Sequence, residues 1–276
     1  MKTRIISACV MLPLLILVYL GGYPLMAAAF LVGAIGLHEF YHGFEAAGTK
    51  PCMAIGYTAL VALYALNLAF PSDLRFVMVW IVLVVMASMI YGFNVEERKL
   101  QDMTATLLGV LYVVFFSFHI VLIDQTADSD LIWLVFLAAF GTDIMAYFVG
   151  MAIGKHKLCP VVSPKKTVEG AIGGVLGTMV FGVVATLIYS IAANRMEAFT
   201  RSNIGVSMYV IIALLGCIAA VLGIYGDLFA SVVKRQCGIK DYGTIFPGHG
   251  GILDRFDSVM FIAPFVTMVI TAVFYA

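Results

Sequence analysis

The sequence is poor in charged residues, which make up only 12% of the chain, whereas 63% of its residues are hydrophobic. A soluble domain of 276 residues needs more polar side chains than this to cover its surface. Lysine and arginine equal aspartate and glutamate, 16 against 16, so the positive excess typical of nucleic-acid-binding proteins is missing. The composition excludes an ordinary soluble protein, and we expect no nucleic-acid partner.

The sequence also has few cysteines, and none of them forms a CxxC pair. They lie mostly in or beside apolar segments, at Cys9, Cys52, Cys159, Cys217 and Cys237. Zinc ligands and disulfide frameworks usually show short, regular cysteine spacings, whereas isolated cysteines in apolar segments behave as small buried hydrophobic residues. We therefore expect neither disulfides nor zinc bound by cysteine.

Long apolar segments are what the sequence has in abundance. Segments of about 17–25 apolar residues, enough for a helix to cross a bilayer, recur along the chain. The polar breaks between them predict nine transmembrane helices, at residues 5–20, 24–43, 54–70, 74–92, 104–123, 131–153, 170–193, 206–230 and 257–275. The first segment lacks a clear small-residue cleavage site, so we interpret it as a retained helix rather than a signal peptide. The prediction is an all-α polytopic membrane protein.

Lysine and arginine are distributed unevenly over the loops between these helices. If the N-terminus is cytoplasmic, the outer loops contain only Arg75, Arg195 and Arg201, and all other lysines and arginines lie inside. Because positive residues accumulate on the cytoplasmic side, we predict a cytoplasmic N-terminus and an outer C-terminus. The two longest polar loops, residues 154–169 and 231–257, then also lie inside. We expect a multi-pass protein of a bacterial inner membrane, with its active site facing the cytoplasm.

The eighth predicted helix places polar residues at the inner membrane boundary. Asp227, Ser231, Lys234 and Arg235 are spaced so that they share one stripe of this helix. Lysine and arginine there could be anchors whose charged ends reach the interface. That interpretation does not account for Asp227, because a carboxylate gains nothing from facing acyl chains.

A glycine-rich loop follows and leads into the ninth predicted helix. Gly248, Gly250 and Gly251 allow backbone amides to approach an anion closely, and Asp254 and Asp257 stand at the start of the helix. One of these aspartates could be an N-cap. Two carboxylates beside such a loop exceed what capping requires, and they suit magnesium, which usually binds one or two carboxylates plus substrate phosphates.

A second polar region precedes it in the chain. Asp143 lies within the sixth predicted helix, where an intramembrane carboxylate is a candidate for a functional site. Lys165 and Lys166 lie before the seventh predicted helix. Lysines are unfavourable near a helix N-terminus, so their presence indicates an anion between them, with plain membrane anchoring as the alternative.

Residues 231–257, from Ser231-Val-Val-Lys to Leu253-Asp-Arg-Phe-Asp257, resemble the signature of phosphatidate cytidylyltransferases, also called CDP-diacylglycerol synthases. Residues 141–150 and 163–170 resemble the upstream region of the same family, with a departure at Ile144 and Met145, where smaller residues are expected. The resemblance is specific over the C-terminal half and only topological before it. We accordingly divide the chain into four scaffold helices, residues 1–103, and a catalytic region of helices five to nine with their cytoplasmic loops, residues 104–276.

The resemblance implies a nucleotidyltransferase that transfers CMP from CTP to phosphatidic acid for phospholipid biosynthesis. It implies that Asp227 and Asp254 bind Mg²⁺, and it allows a second cation such as K⁺. The catalytic residues implied are Asp227, Asp254, Lys234, Arg235 and Arg255. The substrate-binding residues implied are Asp143, Ser163, Lys165, Lys166, Thr167, Glu169, Ser231, Lys240, Asp241, His249, Gly250, Gly251 and Asp257. A homodimer is expected from family precedent and from the spacing of Gly173 and Gly177, although these glycines could equally pack helices within one subunit.

Two other classes of protein compete with this interpretation. His38-Glu-Phe-Tyr-His42 fits the HExxH pattern of zinc metalloproteases, with Leu253-Asp254 as a conceivable source of a third ligand. The plainer interpretation places Glu39 and both histidines at a membrane interface. A cation-coupled transporter using Asp227 and Asp254 is the other alternative. Such carriers place their sites near the midplane and often have repeated halves, whereas these aspartates lie at the inner edge and no repeat is visible.

Overall fold

The computed structural model describes residues 13, 15–71, 73–193, 207–246 and 250–274, and the chain is mostly helical there. The helices of this part of the chain are α1 Gly22–Ala46, α2 Met53–Ala69, α3 Leu74–Tyr91, α4 Leu100–Asp124, α5 Ile132–Ile153, α6 Val168–Ala193, α7 Ser207–Gln236 and α8 Leu253–Val269. Two short strands, β1 Lys157–Cys159 and β2 Ser163–Thr167, pair antiparallel. Helix α4 contains a π-helical stretch, Val110–Phe115, and another, Ile270–Phe274, follows α8.

Six of the described helices are long and apolar enough to cross a membrane, and α2 and α3 are shorter apolar helices. Large apolar side chains are exposed along α3, among them Met78, Val82, Met86 and Met89. Such a surface would be unfavourable in water, but it suits contact with lipid, where the helix satisfies its own backbone hydrogen bonds. The chain is a multi-pass membrane protein. The predicted first helix falls largely outside the described residues, of which 15–20 are helical.

The helices agree with the sequence prediction where apolar segments end sharply, and they differ where polar residues continue a helix. Helix α7 extends to Gln236 rather than residue 230, and α8 begins at Leu253 rather than residue 257. The all-α prediction is corrected by the β1–β2 hairpin, which lies in the loop predicted at residues 154–169. Four cysteines have free thiols, Cys52, Cys159, Cys217 and Cys237, and Cys9 lies outside the described residues.

The chain divides into two compact units. The first contains the described residues up to Gln125 together with Val233–Phe256, and the second contains Thr126–Val232 and the described residues from Asp257 onward. In the first unit the segment Val233–Phe256 therefore packs with the N-terminal helices, which were predicted only as a scaffold. The core of this unit includes Tyr41 of α1, fully buried, whose hydroxyl donates to the Thr106 carbonyl at 2.8 Å.

In the second unit, α5 and α6 pack closely through glycines. A Cβ on Gly173 would lie 2.5 Å from Val149, and one on Gly177 would lie 2.5 Å from Met145. These two glycines therefore pack helices within one chain, and they no longer point to a dimer. The same contact gives a reason for Met145, where a smaller residue is expected: the large side chain fills the space that Gly177 leaves.

The hairpin is attached to the start of α6 by Glu169. Its carboxylate accepts hydrogen bonds from the backbone N–H of Lys155 at 3.1 Å and of His156 at 3.2 Å, and it pairs with Nδ1 of His156 at 2.6 Å. The Thr167 hydroxyl accepts the N–H of Gly170 at 3.1 Å, as an N-cap does. Together these bonds fix strand β2, which carries Lys165 and Lys166.

Candidate active site

The end of α7 is defined by a glycine with a left-handed backbone. Gly238 has φ +72°, and the N–H groups of Gly238 and Ile239 donate to the carbonyls of Arg235 and Lys234. This is the Schellman arrangement, in which a glycine ends a helix and satisfies its last carbonyls. Burial raises the pKa of the adjacent Cys237 thiol, which favours its neutral form. Lys234 therefore lies in the last turn of α7, whose C-terminus is fixed by this arrangement.

Lys234 forms a buried ion pair with Asp254. Its Nζ lies 2.6 Å from Oδ1 of Asp254, and 5.4 Å from the centre of the Tyr242 ring. The other carboxylate oxygen, Oδ2, accepts the backbone N–H of Tyr242 at 2.8 Å and of Gly251 at 2.9 Å. Both residues of the pair are buried. Asp254 is thus held by one lysine and two backbone amides, as a buried charge requires.

The glycine-rich loop closes just before α8. Phe246 and Gly250 pair as an isolated antiparallel bridge, with the Phe246 N–H donating to the Gly250 carbonyl at 2.9 Å. Gly250 has φ +84°, and a Cβ there would also lie 2.6 Å from Oδ2 of Asp254. Only glycine combines this conformation with such a close carboxylate. Residues 247–249, which include Gly248 and His249, lie outside the described residues.

Glu39 of α1 holds the first residues of α8. Its Oε1 accepts the N–H of Ile252 at 3.0 Å, and its Oε2 accepts the N–H of Leu253 at 2.9 Å. Glu39 is buried, whereas His38 and His42 are exposed, and their ring centres lie 4.6 Å apart. Within the part of the chain that the structure describes, no three His, Cys, Asp or Glu side chains form a metal site. These contacts give the HExxH motif a structural role and do not support a zinc protease.

Several basic side chains belong to the same segment of the first unit. Nε of Arg255 is buried and has no hydrogen-bond partner among the described residues. Arg235 is exposed and donates to the Ile239 carbonyl at 3.2 Å. Lys240 and Asp241 are also exposed. A buried guanidinium nitrogen without an acceptor is costly unless a ligand satisfies it, and an anion is the natural ligand.

The second unit contains a separate lysine–aspartate pair. Lys166 of β2 and Asp227 of α7 form an ion pair, and both side chains are half-buried. The pair fixes the hairpin to α7. Ser231, one turn after Asp227, is half-buried as well.

The remaining predicted site residues of the second unit have varied surroundings. Asp257 is buried, and its carboxylate accepts the N–H of Ser258 at 2.7 Å. Asp143 is exposed on α5, and Lys165 is exposed on β2. Ser163 is half-buried on β2. Their roles in substrate binding stay predictions, as do those of Thr167 and Glu169, whose oxygens fix the hairpin and the start of α6.

Sequence reasoning did not identify Tyr242 and Gly243 of the first unit, and it gave Gly251 a role in phosphate binding only. Tyr242 supplies a backbone N–H to Asp254 and a ring beside Lys234. Gly243 and Gly251 lie so close to the Glu39 carboxylate that a Cβ on either would clash with it. The sequence did offer one signal for Glu39. It stands next to the apolar residues Phe40 and Tyr41, which are buried in the structure, and a buried glutamate needs hydrogen-bond partners. Its partners lie more than 200 residues away in the chain and left no local pattern.

The arrangement brings oxygen ligands and cations together within each unit. Each of the two aspartates already has a lysine ammonium as its counter-ion. Oδ1 of Asp254 accepts one hydrogen bond and keeps a further lone pair, and the half-buried Asp227 remains reachable. Hard carboxylate oxygens with cations nearby fit a phosphate substrate with its divalent metal.

Comparison with known proteins agrees with this chemistry. The model of the Cytidylyltransferase family matches residues 2–273. A protein named phosphatidate cytidylyltransferase from Staphylococcus haemolyticus is 31% identical, over 97% of this chain and 96% of its own length. Proteins of the same name from Bacillus subtilis and Thermotoga maritima are 30% and 29% identical, each over 96% of this chain and over 96% and 94% of their own lengths. The chain belongs to the cytidylyltransferase family.

Proposed function

We propose that this protein transfers CMP from CTP to phosphatidic acid, which yields CDP-diacylglycerol and pyrophosphate. The match to the cytidylyltransferase family over residues 2–273 supports the nucleotide chemistry, and the names of the relatives support the lipid acceptor. The structural observation that carries the proposal is Asp254, a buried carboxylate paired with Lys234. It is followed in the chain by Arg255, whose buried Nε has no hydrogen-bond partner in the described part of the chain. Multi-pass membrane helices suit an enzyme whose acceptor is a lipid.

The reaction requires little covalent help from the protein. An oxygen of the lipid phosphate forms a bond to the α-phosphorus of CTP, and the bond from that phosphorus to the bridging oxygen of the β-phosphate breaks. Pyrophosphate leaves with the electron pair of that bond. The phosphate monoester is largely deprotonated near neutral pH, so no strong general base is needed. The protein contributes positioning and neutralisation of charge.

Basic residues are the groups that would bind the two phosphate substrates. Arg255 offers a buried N–H that has no acceptor among the residues the structure describes, and Arg235 and Lys240 are exposed. Lys165 is exposed on β2, and Lys166 already pairs with a carboxylate. Guanidinium groups suit bidentate contact with phosphate, whereas ammonium groups act as point charges. This set is large enough to serve both the triphosphate and the lipid headgroup.

Asp227 and Asp254 are the carboxylates we assign to magnesium. The donor set fits, because magnesium is commonly bound by one or two carboxylates together with substrate phosphates. When bound, the metal would neutralise charge on the triphosphate and favour departure of pyrophosphate. A second cation such as K⁺ is compatible with the same assignment. Removal of magnesium with EDTA is expected to stop the reaction, and added magnesium to restore it.

We also propose the finer features of membrane placement. These are nine transmembrane helices, a cytoplasmic N-terminus, an outer C-terminus, and an active site on the cytoplasmic side of a bacterial inner membrane. Their support is the distribution of lysine and arginine over the loops. Single cysteines placed at Lys240 and at Arg195 test it in sealed vesicles: an impermeant reagent should reach the two positions from opposite sides. A homodimer stays a proposal from family precedent.

Release of pyrophosphate from CTP by purified protein in detergent tests the proposed function. Pyrophosphate should appear only when phosphatidic acid and magnesium are both present. Diacylglycerol, which lacks the phosphate nucleophile, is the matched control and should give none. A transporter would release no pyrophosphate under any of these conditions. Protein that binds CTP yet gives no pyrophosphate with phosphatidic acid would contradict the proposal.

A further inference from the structure

We infer that Glu39 is a positioning residue for Asp254: its buried carboxylate holds the backbone that begins α8 and so fixes where the Asp254 side chain lies. The inference rests on the proposed function only in giving Asp254 a role in the reaction. The structural part stands on contacts within the first unit. It gives the HExxH motif a purpose other than zinc binding.

The start of α8 presents backbone N–H groups that the helix itself cannot satisfy. Those of Ile252 and Leu253 donate to the two oxygens of Glu39, at 3.0 and 2.9 Å. The preceding N–H, of Gly251, donates to Asp254 itself at 2.9 Å. Three successive donors are thus satisfied by two carboxylates, and a negative group at this end of a helix is also favoured by the helix dipole.

The glycines of the loop make room for this carboxylate. A Cβ on Gly251 would meet both oxygens of Glu39, and a Cβ on Gly243 would meet Oε1 of Glu39 and lie 3.1 Å from the Cα of Gly251. The sequence pattern assigned Gly251 to phosphate binding, and Gly243 lies in the same family-like segment, residues 231–257. The contacts give both glycines another function, which is to admit Glu39 between two stretches of backbone.

Helix α1 fixes the position of Glu39 in turn. Gly43, one turn later, has Ile239 and Tyr242 against it, at 3.0 and 3.4 Å from the place of a Cβ. The rings of Phe40 and Tyr242 lie 5.9 Å apart. The same face of α1 therefore contacts the loop at several points, and Glu39 is the polar contact among apolar ones. A rigid helix with a bidentate acceptor is well suited to hold a loop in one geometry.

A direct catalytic role for Glu39 does not fit these contacts. Both oxygens accept backbone hydrogen bonds, the residue is only 5% exposed, and the neighbouring histidines face away on the exposed side. Loss of Glu39 would leave two N–H groups without acceptors, because water has little access there. The first turn of α8 would then shift or fray, and Asp254 would move with it.

Hydrogen exchange measured by mass spectrometry on the purified full chain tests the inference together with steady-state kinetics. In Glu39→Ala, the peptide covering residues 250–256 is expected to exchange faster. The kcat for CDP-diacylglycerol formation is expected to fall about 10- to 100-fold, as for a displaced catalytic group. KM for CTP should change less than kcat, because both oxygens of Glu39 already accept backbone hydrogen bonds. Glu39→Gln keeps one acceptor oxygen and should be intermediate in both exchange and kcat.

Glu45→Gln is the matched control, since Glu45 lies on the same helix but is exposed and its carboxylate pairs with His42. It should match the wild-type protein in exchange and in kcat. If Glu39→Ala does not fold, Glu39→Asp replaces it, because a carboxylate withdrawn by about 1.5 Å loses the same hydrogen bonds. Graded, parallel changes in exchange and kcat support the inference.

Two results would overturn it. One is wild-type exchange of residues 250–256 in Glu39→Ala. The other is a Glu39→Gln protein as inactive as Glu39→Ala although its exchange is that of the wild type, which would mean a direct chemical role. The exchange measurement needs no reaction. Failure of the wild-type protein to transfer CMP would therefore refute the proposed function, and it would leave the contact between Glu39 and α8 separately testable.

Discussion

The two lysine–aspartate pairs have the same chemistry but different surroundings. In the first unit, the side chains of Lys234 and Asp254 are 10% and 2% exposed, and two backbone amides also hold the carboxylate. In the second unit, the side chains of Lys166 and Asp227 are 27% and 22% exposed. A buried pair is costly to break, whereas a partly exposed pair is weak and easily exchanged for other partners.

The difference suggests different tasks for the two aspartates. Asp254 is fixed before any substrate arrives, because Lys234, Tyr242, Gly251 and Glu39 together define its position. Asp227 depends on a lysine from a surface hairpin, so a ligand can compete for either partner. We expect the first unit to supply a rigid group and the second unit an adjustable one. This difference between the two aspartates can be tested with substitutions whose effects on stability and on activity are measured separately.

The largest effect is expected for Asp254→Asn. It removes the charge that compensates buried Lys234, and loss of one partner of a buried pair typically costs about 3–5 kcal/mol. Formation of CDP-diacylglycerol should be lost, and the melting temperature in detergent should fall clearly. Thermal unfolding and the CTP assay measure the two effects. Normal turnover in this variant would rule out Asp254 as a metal ligand.

Asp227→Asn is expected to affect catalytic activity strongly and stability only slightly. Activity should also be lost, because the proposed metal ligand is gone. Stability should change by less than about 1 kcal/mol, since Lys166 can turn to water or to a lipid phosphate. The same two measurements apply. A loss of stability as large as that of Asp254→Asn would contradict the distinction between a rigid and an adjustable pair.

Replacing the lysine of each pair by methionine tests the same difference between the buried and the partly exposed ion pair. Lys234→Met leaves a buried carboxylate without its counter-ion and should destabilise the protein strongly. Lys166→Met should leave the melting temperature nearly unchanged and mainly raise KM for one of the phosphate substrates. Added salt should reduce the effect of Lys166→Met more than that of Lys234→Met, because salt screens exposed ion pairs more than buried ones. Equal melting temperatures for the two variants would argue against the contrast.

The smallest effect is expected for Glu169→Gln, which loosens the hairpin that carries Lys166. The amide can replace only part of the acceptor set that binds Lys155 and His156. We expect a modest rise in KM, about two- to five-fold, with kcat and stability close to the wild type, as for loss of one exposed hydrogen-bonded contact. Kinetics at varied phosphatidic acid and CTP measure it. A collapse of kcat instead would mean that Glu169 takes part in the reaction.

The positions of the apolar helices followed from the sequence because apolar segments between polar breaks determine them. Helices α2 and α3 lie at Met53–Ala69 and Leu74–Tyr91, close to the predicted 54–70 and 74–92. The ends of α7 and α8 were less predictable. Polar residues after Ala230 continue α7 until Gly238 ends it, and Glu39 stabilises an earlier start for α8. Both causes depend on backbone geometry or on distant contacts.

The candidate site could be predicted only as a set of residue types. Asp254 and Lys234 stood out because charges near membrane helices need a reason, and the structure pairs them. The hairpin at residues 157–167 did not stand out, because its strands are short and Glu169 fixes them from outside. Glu39 stood out only as part of a rival motif. Its partners lie 213 and 214 residues away in the chain. Local sequence periodicity cannot indicate a contact between residues so far apart in the sequence.

The proposed CMP transfer is tested most directly by following the α- and γ-phosphates of CTP separately. Purified protein is given phosphatidic acid, magnesium, and CTP labelled either at the α- or at the γ-phosphate, and the lipid and aqueous phases are then separated. The α-label is expected to enter the lipid as CDP-diacylglycerol, while the γ-label stays in water as pyrophosphate. Label from the γ-phosphate in the lipid, or no label from either position, would contradict it.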